Sequence, residues 1–162
     1  MKKFIALFAL MVITLASYAQ VYKMYNTRNY HNQLRLNTMT GEVQQIQDDG
    51  QSWIVCSARE ISGDKESRFR LYETQNMWTF ILLDSYNGRL WQVQYSAQDL
   101  DNLFCIPINK YELVSDNENC IFSIQPLTSM YQYYLINDNT GDMWKFQWST
   151  KGDDYRWIEK FK

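Results

Sequence analysis

Three near-copies of one short stretch constrain the fold of this chain more than any other feature of its sequence. They are LLDSYNGRLWQVQ at 82–94, LINDNTGDMWKFQ at 135–147 and the weaker RLNTMTGEVQQIQ at 35–47. A shift of 53 positions aligns 68–96 with 121–149, and a shift of 47 positions aligns 21–47 with 68–94, both without a gap. Repeats of this length that tile a chain predict a repeat fold.

Each repeat carries the sequence pattern of four β-strands. In the second repeat these patterns cover 68–74, 78–84, 89–96 and 103–109. The first and third alternate with period 2, and the second is apolar on both parities. No window of ten or more residues combines helical periodicity with capping signals. The repeats, at about 21–60, 68–109 and 121–162, therefore predict a single all-β domain of about twelve strands.

A glycine at the same place in every repeat predicts a hairpin turn between the second and third strands. The glycines are Gly41, Gly88 and Gly141, and the residues that open the loops are Asn37, Asp84 and Asn137. Glycine suits a turn that needs positive φ, and Asn or Asp can hydrogen-bond the backbone of its own turn.

Three four-stranded repeats fit two architectures. In a propeller-like arrangement, which we favour, each repeat is a small sheet packed face-on against its neighbours, and this suits the doubly apolar pattern at 78–84. In a β-trefoil, the alternative, the same strands close a barrel with a hairpin cap. A lone ring of three sheets needs steep angles between the sheets, which two chains with six sheets would relieve. The propeller-like arrangement is therefore compatible with a homodimer.

The hairpin stretches resemble the Leu-Asp-x-x-x-Gly-x-x-Trp repeat of quinoprotein-type β-propellers. Leu83, Asp84, Gly88 and Trp91 match that motif, as do Ile136, Asn137, Gly141 and Trp144 with two conservative changes, while Gln44 replaces the tryptophan in the first repeat. The whole chain also resembles small, exported, uncharacterised repeat proteins of gut Bacteroidetes. No residue matches the cofactor-binding residues of quinoproteins, so the resemblance implies neither a quinone nor oxidoreductase chemistry, and we expect no cofactor.

The first nineteen residues have the pattern of a signal peptide. Lys2 and Lys3 precede the apolar stretch 4–16, and small residues at 17 and 19 fit cleavage after Ala19. The apolar stretch is shorter than the roughly 20 residues that span a bilayer. We therefore expect a mature chain from Gln20, exported to the periplasm or outside the cell and not embedded in the membrane. A formal net charge of −2 gives no basic surface for nucleic acid.

Cys56, Cys105 and Cys120 lie in or near strand-like stretches. An exported protein usually pairs its cysteines, but an odd number leaves at least one thiol. We expect buried, inert thiols, because free cysteine behaves as a small hydrophobic residue. The alternatives are a Cys105–Cys120 bridge and a reactive thiol.

The remaining chemistry-bearing residues favour structural roles. His31 aligns with Trp78 and Tyr131, which predicts a packing residue at this repeated place. Aspartates follow the third strand of each repeat, which predicts solvated loop residues, at 48–49, at 99 and 101, and at 153–154. The stretch 137–142 lacks the acidic ladder of a calcium loop, so we expect a turn and no metal site. No catalytic motif is present, and the sequence predicts that the protein is not an enzyme.

Three glutamines at one repeated place, Gln47, Gln94 and Gln147, are the candidate site residues. Their amides either cap backbone groups, as buried polar groups require, or present hydrogen-bond donors and acceptors to a ligand. Trp91 and Trp144 are the candidate stacking rings for such a ligand. Because each tryptophan lies three residues before its glutamine, the two side chains point to opposite faces of the strand, which argues against one shared pocket.

The surplus of aromatic residues, at 16%, suits stacking on sugars or an interface with protein. The sequence therefore predicts an exported, non-catalytic recognition module that binds carbohydrate or peptide. The alternative is a structural or interaction subunit of an envelope protein assembly. A glycan-acting enzyme is a third hypothesis.

Overall fold

The computed structural model describes residues 20–97, 99–116 and 121–161, which form three four-stranded antiparallel sheets. The first sheet contains β1 (Tyr22–Asn26), β2 (Asn32–Asn37), β3 (Val43–Gln47) and β4 (Ser52–Cys56). The second contains β5 (Phe69–Glu73), β6 (Thr79–Asp84), β7 (Leu90–Gln94) and β8 (Phe104–Pro107). The third contains β9 (Phe122–Pro126), β10 (Gln132–Asn137), β11 (Met143–Gln147) and β12 (Trp157–Lys160). The described helical segments are α1 (Ala58–Ile61) and the 3-10 turns Leu100–Asn102 and Asp153–Tyr155.

The predicted all-β class with three tandem four-stranded repeats is confirmed. Each sheet is a meander in which every strand pairs with its neighbour in the chain. A β-trefoil would instead close its strands into a barrel, so that alternative is wrong for the described residues. The predicted signal peptide and Cys120 lie outside the residues that the structure describes.

The sheets pack face to face in chain order, which gives a propeller-like stack. One core joins Leu34 and Leu36 of β2 to Leu82 and Trp91 of the second sheet. A second core lies on the other face of the second sheet, where Ile81, Leu83 and Leu90 meet Phe122, Leu135 and Trp144 of the third. Every residue of β6 is buried because both of its faces are covered, which explains its doubly apolar sequence.

Buried glutamines link neighbouring sheets at equivalent positions. Gln45 of β3 donates from Nε2 to the Ser96 carbonyl at 2.5 Å and accepts from the Ser96 amide at 3.1 Å. Its equivalent in β7, Gln92, accepts from the amide of Ser149 at 3.2 Å. Buried polar groups need hydrogen-bond partners, and the side-chain oxygens of both glutamines find them in the backbone of the following repeat.

The predicted hairpin turns are confirmed by their backbone geometry. Gly41, Gly88 and Gly141 have φ of 78°, 77° and 77°. In each turn the glycine amide donates to the carbonyl of the residue that opens the loop, at 2.8–3.0 Å. The side-chain oxygen of that opening residue accepts from the amide two positions on in all three turns.

A disulfide joins the first two sheets, which corrects the expectation of free thiols. Cys56 at the end of β4 bonds to Cys105 of β8, with 5.1 Å between their Cα atoms. A register shift between Val43 and Gln44 sets Cys56 opposite Val43, on the face turned to the second sheet. The buried-thiol expectation is therefore wrong for both residues. The Cys105–Cys120 alternative is also wrong, because Cys105 already has a partner.

On the outer faces of the stack, some places that are buried in the second sheet carry charged or polar residues. Arg35 and Gln44 stand where the other repeats have leucine and tryptophan, and they hydrogen-bond each other. The Arg35 guanidinium lies 5.1 Å from the centroid of the Tyr22 ring. In the third sheet Lys145 stands at the place of Gln45 and Gln92, which link neighbouring sheets. Terminal repeats of stacked proteins commonly carry such polar caps.

Candidate functional site

A ring residue and a glutamine lie side by side at the same end of each sheet. The ring residues, which directly precede the second strands, are His31, Trp78 and Tyr131, and the glutamines that end the third strands are Gln47, Gln94 and Gln147. The carbonyl of each ring residue accepts from the amide that follows the glutamine, at 3.0–3.1 Å. The repeat therefore places one ring and one amide at equivalent positions three times.

The glutamine amides bind loop carbonyls. Gln47 donates from Nε2 to Ala97, Gln94 to Asn102 and Gln147 to Tyr155, at 3.2, 3.3 and 3.0 Å. These contacts are the backbone-capping role that the sequence offers for the three residues, although the carbonyls come from loops rather than from strands. Their role in ligand binding stays a prediction.

Trp91 and Trp144 lie between the sheets, away from the glutamines. They are 3% and 6% exposed. The Trp91 ring lies 6.3 Å from the Phe69 ring and 4.6 Å from the Arg89 guanidinium. Trp144 repeats this arrangement with a phenylalanine ring at 5.7 Å and a lysine ammonium at 5.1 Å. Packing occupies these indoles, so their predicted role as stacking rings gains no support from the geometry.

Trp78, in contrast to these two indoles, borders open space. A cavity of about 610 Å³ opens beside it, and Asn29, Gln94, Asp99 and Asn102 contribute polar side chains to the lining. A second cavity of about 460 Å³ shares Trp78, Gln94 and Asn102 with the first. The indole therefore lies at the boundary of two cavities that are rich in amides.

Hydrogen bonds and a ring contact fix the position of Trp78 and of the neighbouring Tyr95. The Trp78 amide donates to Asn76 Oδ1 at 2.9 Å, and the indole lies 5.3 Å from the Tyr95 ring. The Tyr95 hydroxyl donates to the Met77 carbonyl at 2.6 Å. Burial raises the pKa of the Tyr95 phenol, so it stays protonated and keeps this role as a donor.

The lip of the first cavity is also fixed. Asp99 caps the 3-10 turn that follows it, accepting from the Asp101 amide at 3.0 Å and from Asn102 Nδ2 at 2.6 Å. Asn29, which also lines this cavity, accepts from the His31 amide through Oδ1. A site whose polar groups are already held loses little conformational entropy when a ligand binds.

The first repeat differs, and it corrects the expectation that His31 is a packing residue. His31 is 52% exposed, and its Nδ1 lies 2.6 Å from Asp48 Oδ2. Asp48 stands where the other repeats have Tyr95 and Trp148, whose rings pack on Trp78 and Tyr131. Because the residue after Gln47 is an aspartate rather than a ring, the histidine binds its carboxylate and packs on the adjacent Tyr30 ring, at 3.9 Å between ring centroids. The hydrogen bond from His31 lowers the pKa of Asp48 below its ordinary value.

Comparisons with known proteins do not assign this chain to a family. No protein-family model matches the chain, and no curated protein matches it. A solved structure of an auxiliary nutrient binding protein from Bacteroides thetaiotaomicron is similar, with a TM-score of 0.32 and 11% sequence identity. The similarity covers 88% of this chain and 42% of that protein, so the chain spans less than half the length of this neighbour.

Sequence reasoning missed Trp78 as a site residue, although a signal was present. The three repeats carry rings of different types at one place, and this place directly precedes a buried strand. The aspartates after the third strands are exposed, as predicted for solvated loop residues. None of the helices in the described ranges is long and apolar enough to cross a membrane.

Proposed function

We propose that the protein is a non-catalytic binding module that holds a carbohydrate beside Trp78. The observation that carries this proposal is one partly buried indole at the boundary of two open cavities, with Asn29, Gln94 and Asn102 around it. An indole packs against the apolar face of a sugar ring, and amides offer both donors and acceptors to its hydroxyls. Both cavities have volumes in the range of small-molecule sites, roughly 300–1,000 Å³.

The charges around Trp78 favour a neutral ligand. Asp99 is the acidic side chain that lines the first cavity, and Arg156 is the basic side chain that lines the second. Arg156 already forms an ion pair with Asp153. Because this guanidinium is paired, it adds little attraction for an anionic sugar or a phosphate.

The proposal makes the module non-catalytic because the acidic group beside Trp78 has a structural task. Asp99 accepts two hydrogen bonds within its own loop, where it caps the 3-10 turn Leu100–Asn102. Export is part of the proposal. The Cys56–Cys105 disulfide supports it, because such bonds persist mainly in oxidising compartments.

Binding of neutral glycans to residues 20–162 tests the proposal, by calorimetry and by retardation in gels that contain each polysaccharide. We expect Trp78→Ala to weaken binding about tenfold or more, because buried tryptophans dominate binding energies. Tyr111→Ala is the control, since this ring is 80% exposed and lines neither cavity. Unchanged affinity in the Trp78 variant, or a panel on which no glycan binds, would contradict the proposal.

The second candidate is a structural or interaction subunit, including a homodimer. The outer face of β10 favours it, because Tyr134 and Ile136 alternate there with buried residues. The Tyr134 ring lies 5.4 Å from the ring of Phe161, an exposed residue. Tyr134→Lys would then shift the mass in light scattering from that of a dimer to that of one chain.

A further inference from the structure

The cavities around Trp78 continue into the third repeat. The second cavity reaches Ser149 and Thr150, and these two residues also line a cavity of about 200 Å³ beside Tyr131. The three cavities thus form one groove from Asn29 in the first repeat to Tyr155 in the third. We name this the ring groove, after Trp78 and Tyr131, which border it.

The two rings of the groove occupy equivalent places in successive repeats. Trp78 and Tyr131 align with each other, and each is followed by a second strand that pairs with a glutamine-ended third strand. Each ring also packs on the ring after that glutamine, Trp78 on Tyr95 and Tyr131 on Trp148, at 5.3 and 4.9 Å. A ligand built from repeated units therefore meets an aromatic ring and a glutamine amide at two equivalent places.

The segment between the two rings is held in place by the interface between the sheets. The Ser149 amide donates to the buried Gln92, and Ser149 Oγ accepts from the Lys151 amide at 2.9 Å. Thr150 is exposed between these anchored residues. The groove floor at this junction is therefore polar and fixed.

The first repeat lacks the ring that follows the glutamine in the other two repeats. Its cavity of about 160 Å³ is lined by Tyr30, His31 and Asp48, and the hydrogen bond from His31 to Asp48 takes the place of the ring contact with the residue after the glutamine. The groove is thus built from the second and third repeats, with Asn29 at its near end.

From these observations we infer that the ligand is the chain of a neutral polysaccharide, bound along the ring groove with Trp78 and Tyr131 as two stacking platforms. This inference rests on the proposed function. It adds that the protein recognises several consecutive sugar units rather than one, so that affinity depends on chain length. A chain that contacts two linked platforms gains effective concentration at the second once the first is occupied.

Calorimetry with cello-, laminari-, malto-, xylo- and manno-oligosaccharides, each from disaccharide to hexasaccharide, tests this. We expect the hexasaccharide of the recognised series to bind about tenfold or more tightly than the disaccharide. Trp78→Ala should weaken both, while Tyr131→Ala should weaken only the hexasaccharide. His31→Ala is the control at the third equivalent position and should change neither.

Thr150→Trp is a second variant that avoids any effect of Tyr131 on folding. A large side chain at this exposed junction should block the passage, so that hexasaccharide affinity falls to that of the disaccharide. Equal affinities for disaccharide and hexasaccharide in the wild-type protein would overturn the inference while leaving the proposed function intact. Failure of every oligosaccharide to bind would instead overturn both.

Discussion

Arg68 donates through Nε and Nη2 to the carboxylate of Asp84, and both side chains are almost fully buried, at 4% and 2% exposure. Asp116 also accepts from this guanidinium at 2.9 Å. Burial opposes the charge on Arg68, but hydrogen bonds and attraction from Asp84 and Asp116 together raise the pKa of the guanidinium. The pair also explains a difference between repeats, since the other two have Asn where the second has Asp84.

We expect the Arg68–Asp84 pair to behave as a unit. Asp84→Asn leaves a buried guanidinium with a weaker partner and should destabilise the fold by about 3 kcal/mol. Arg68→Ile should do the same by leaving a buried carboxylate. The double variant copies Ile121 and Asn137 of the third repeat and should cost less than the sum of the two. Denaturant unfolding of all four proteins measures this coupling, and strictly additive losses would contradict it.

The three turn glycines should differ in their sensitivity to alanine. All three have positive φ, which costs about 1–2 kcal/mol for a residue with a Cβ. At Gly141 a Cβ meets nothing within 4 Å, so Gly141→Ala measures this strain alone. At Gly88 a Cβ lies 3.0 Å from Leu113, and at Gly41 it lies 2.4 Å from Ile61.

The loss of unfolding free energy should therefore rise in the order Gly141→Ala, Gly88→Ala, Gly41→Ala. Thermal unfolding of the three variants under one condition gives the ranking. Equal losses would mean that backbone strain alone decides the cost.

The Cys56–Cys105 disulfide should contribute about 4 kcal/mol, the value that chain entropy gives for its sequence separation of 49. Cys56→Ala/Cys105→Ala should lower the stability by this order, and reduction of the wild-type protein should match the double variant. Denatured, unreduced protein should titrate one thiol per chain, because the sequence contains three cysteines. Three titratable thiols without reductant would refute the bond.

Two carboxyls near the surface, the exposed Asp48 and the half-buried Asp142, should make stability depend on pH on the acid side. His31 lowers the pKa of Asp48, and Lys160 with Thr140 lowers that of Asp142, both from the ordinary value of 3.8. A carboxyl with a lower pKa in the folded state contributes stability that is complete above 3.8 and is lost as pH falls through the lowered pKa.

Asp48→Asn and Asp142→Asn should each lower the melting temperature at neutral pH. The difference from wild type should shrink as the pH falls below the ordinary pKa, because both proteins then carry a neutral side chain at that position. Melting curves recorded across this pH range give the comparison. A difference that stays constant down to the acid limit would argue against these contacts.

The sequence predicts the strands and turns well because their signals are local. The doubly apolar stretch of β6 and the glycines at repeated places each depend on a few neighbouring residues. The disulfide could not be predicted in this way. Its two cysteines face each other only after two sheets have packed and a register shift has turned Cys56 inward.

The candidate site, too, could be predicted from the sequence only in part. The glutamines were visible as a repeated place, although β7 ends at Gln94 and not two residues later, as the pattern at 89–96 indicates. The tryptophans chosen with them, Trp91 and Trp144, are instead packed between sheets. Sequence parity argued against a shared pocket for these pairs, but it did not reveal that Trp78, which directly precedes β6, borders the open space.

Pairing between chain neighbours also bears on how the protein assembles. Because each strand bonds the strand before or after it, the first sheet needs no later part of the chain for its own ladder. Pairings between chain neighbours keep contacts closer in sequence than pairings between distant strands, which favours faster folding. Cys105, however, lies in the last strand of the second sheet, so covalent closure follows only when that sheet has docked. The rate at which the Cys56–Cys105 disulfide forms during refolding would therefore report when the second repeat docks on the first.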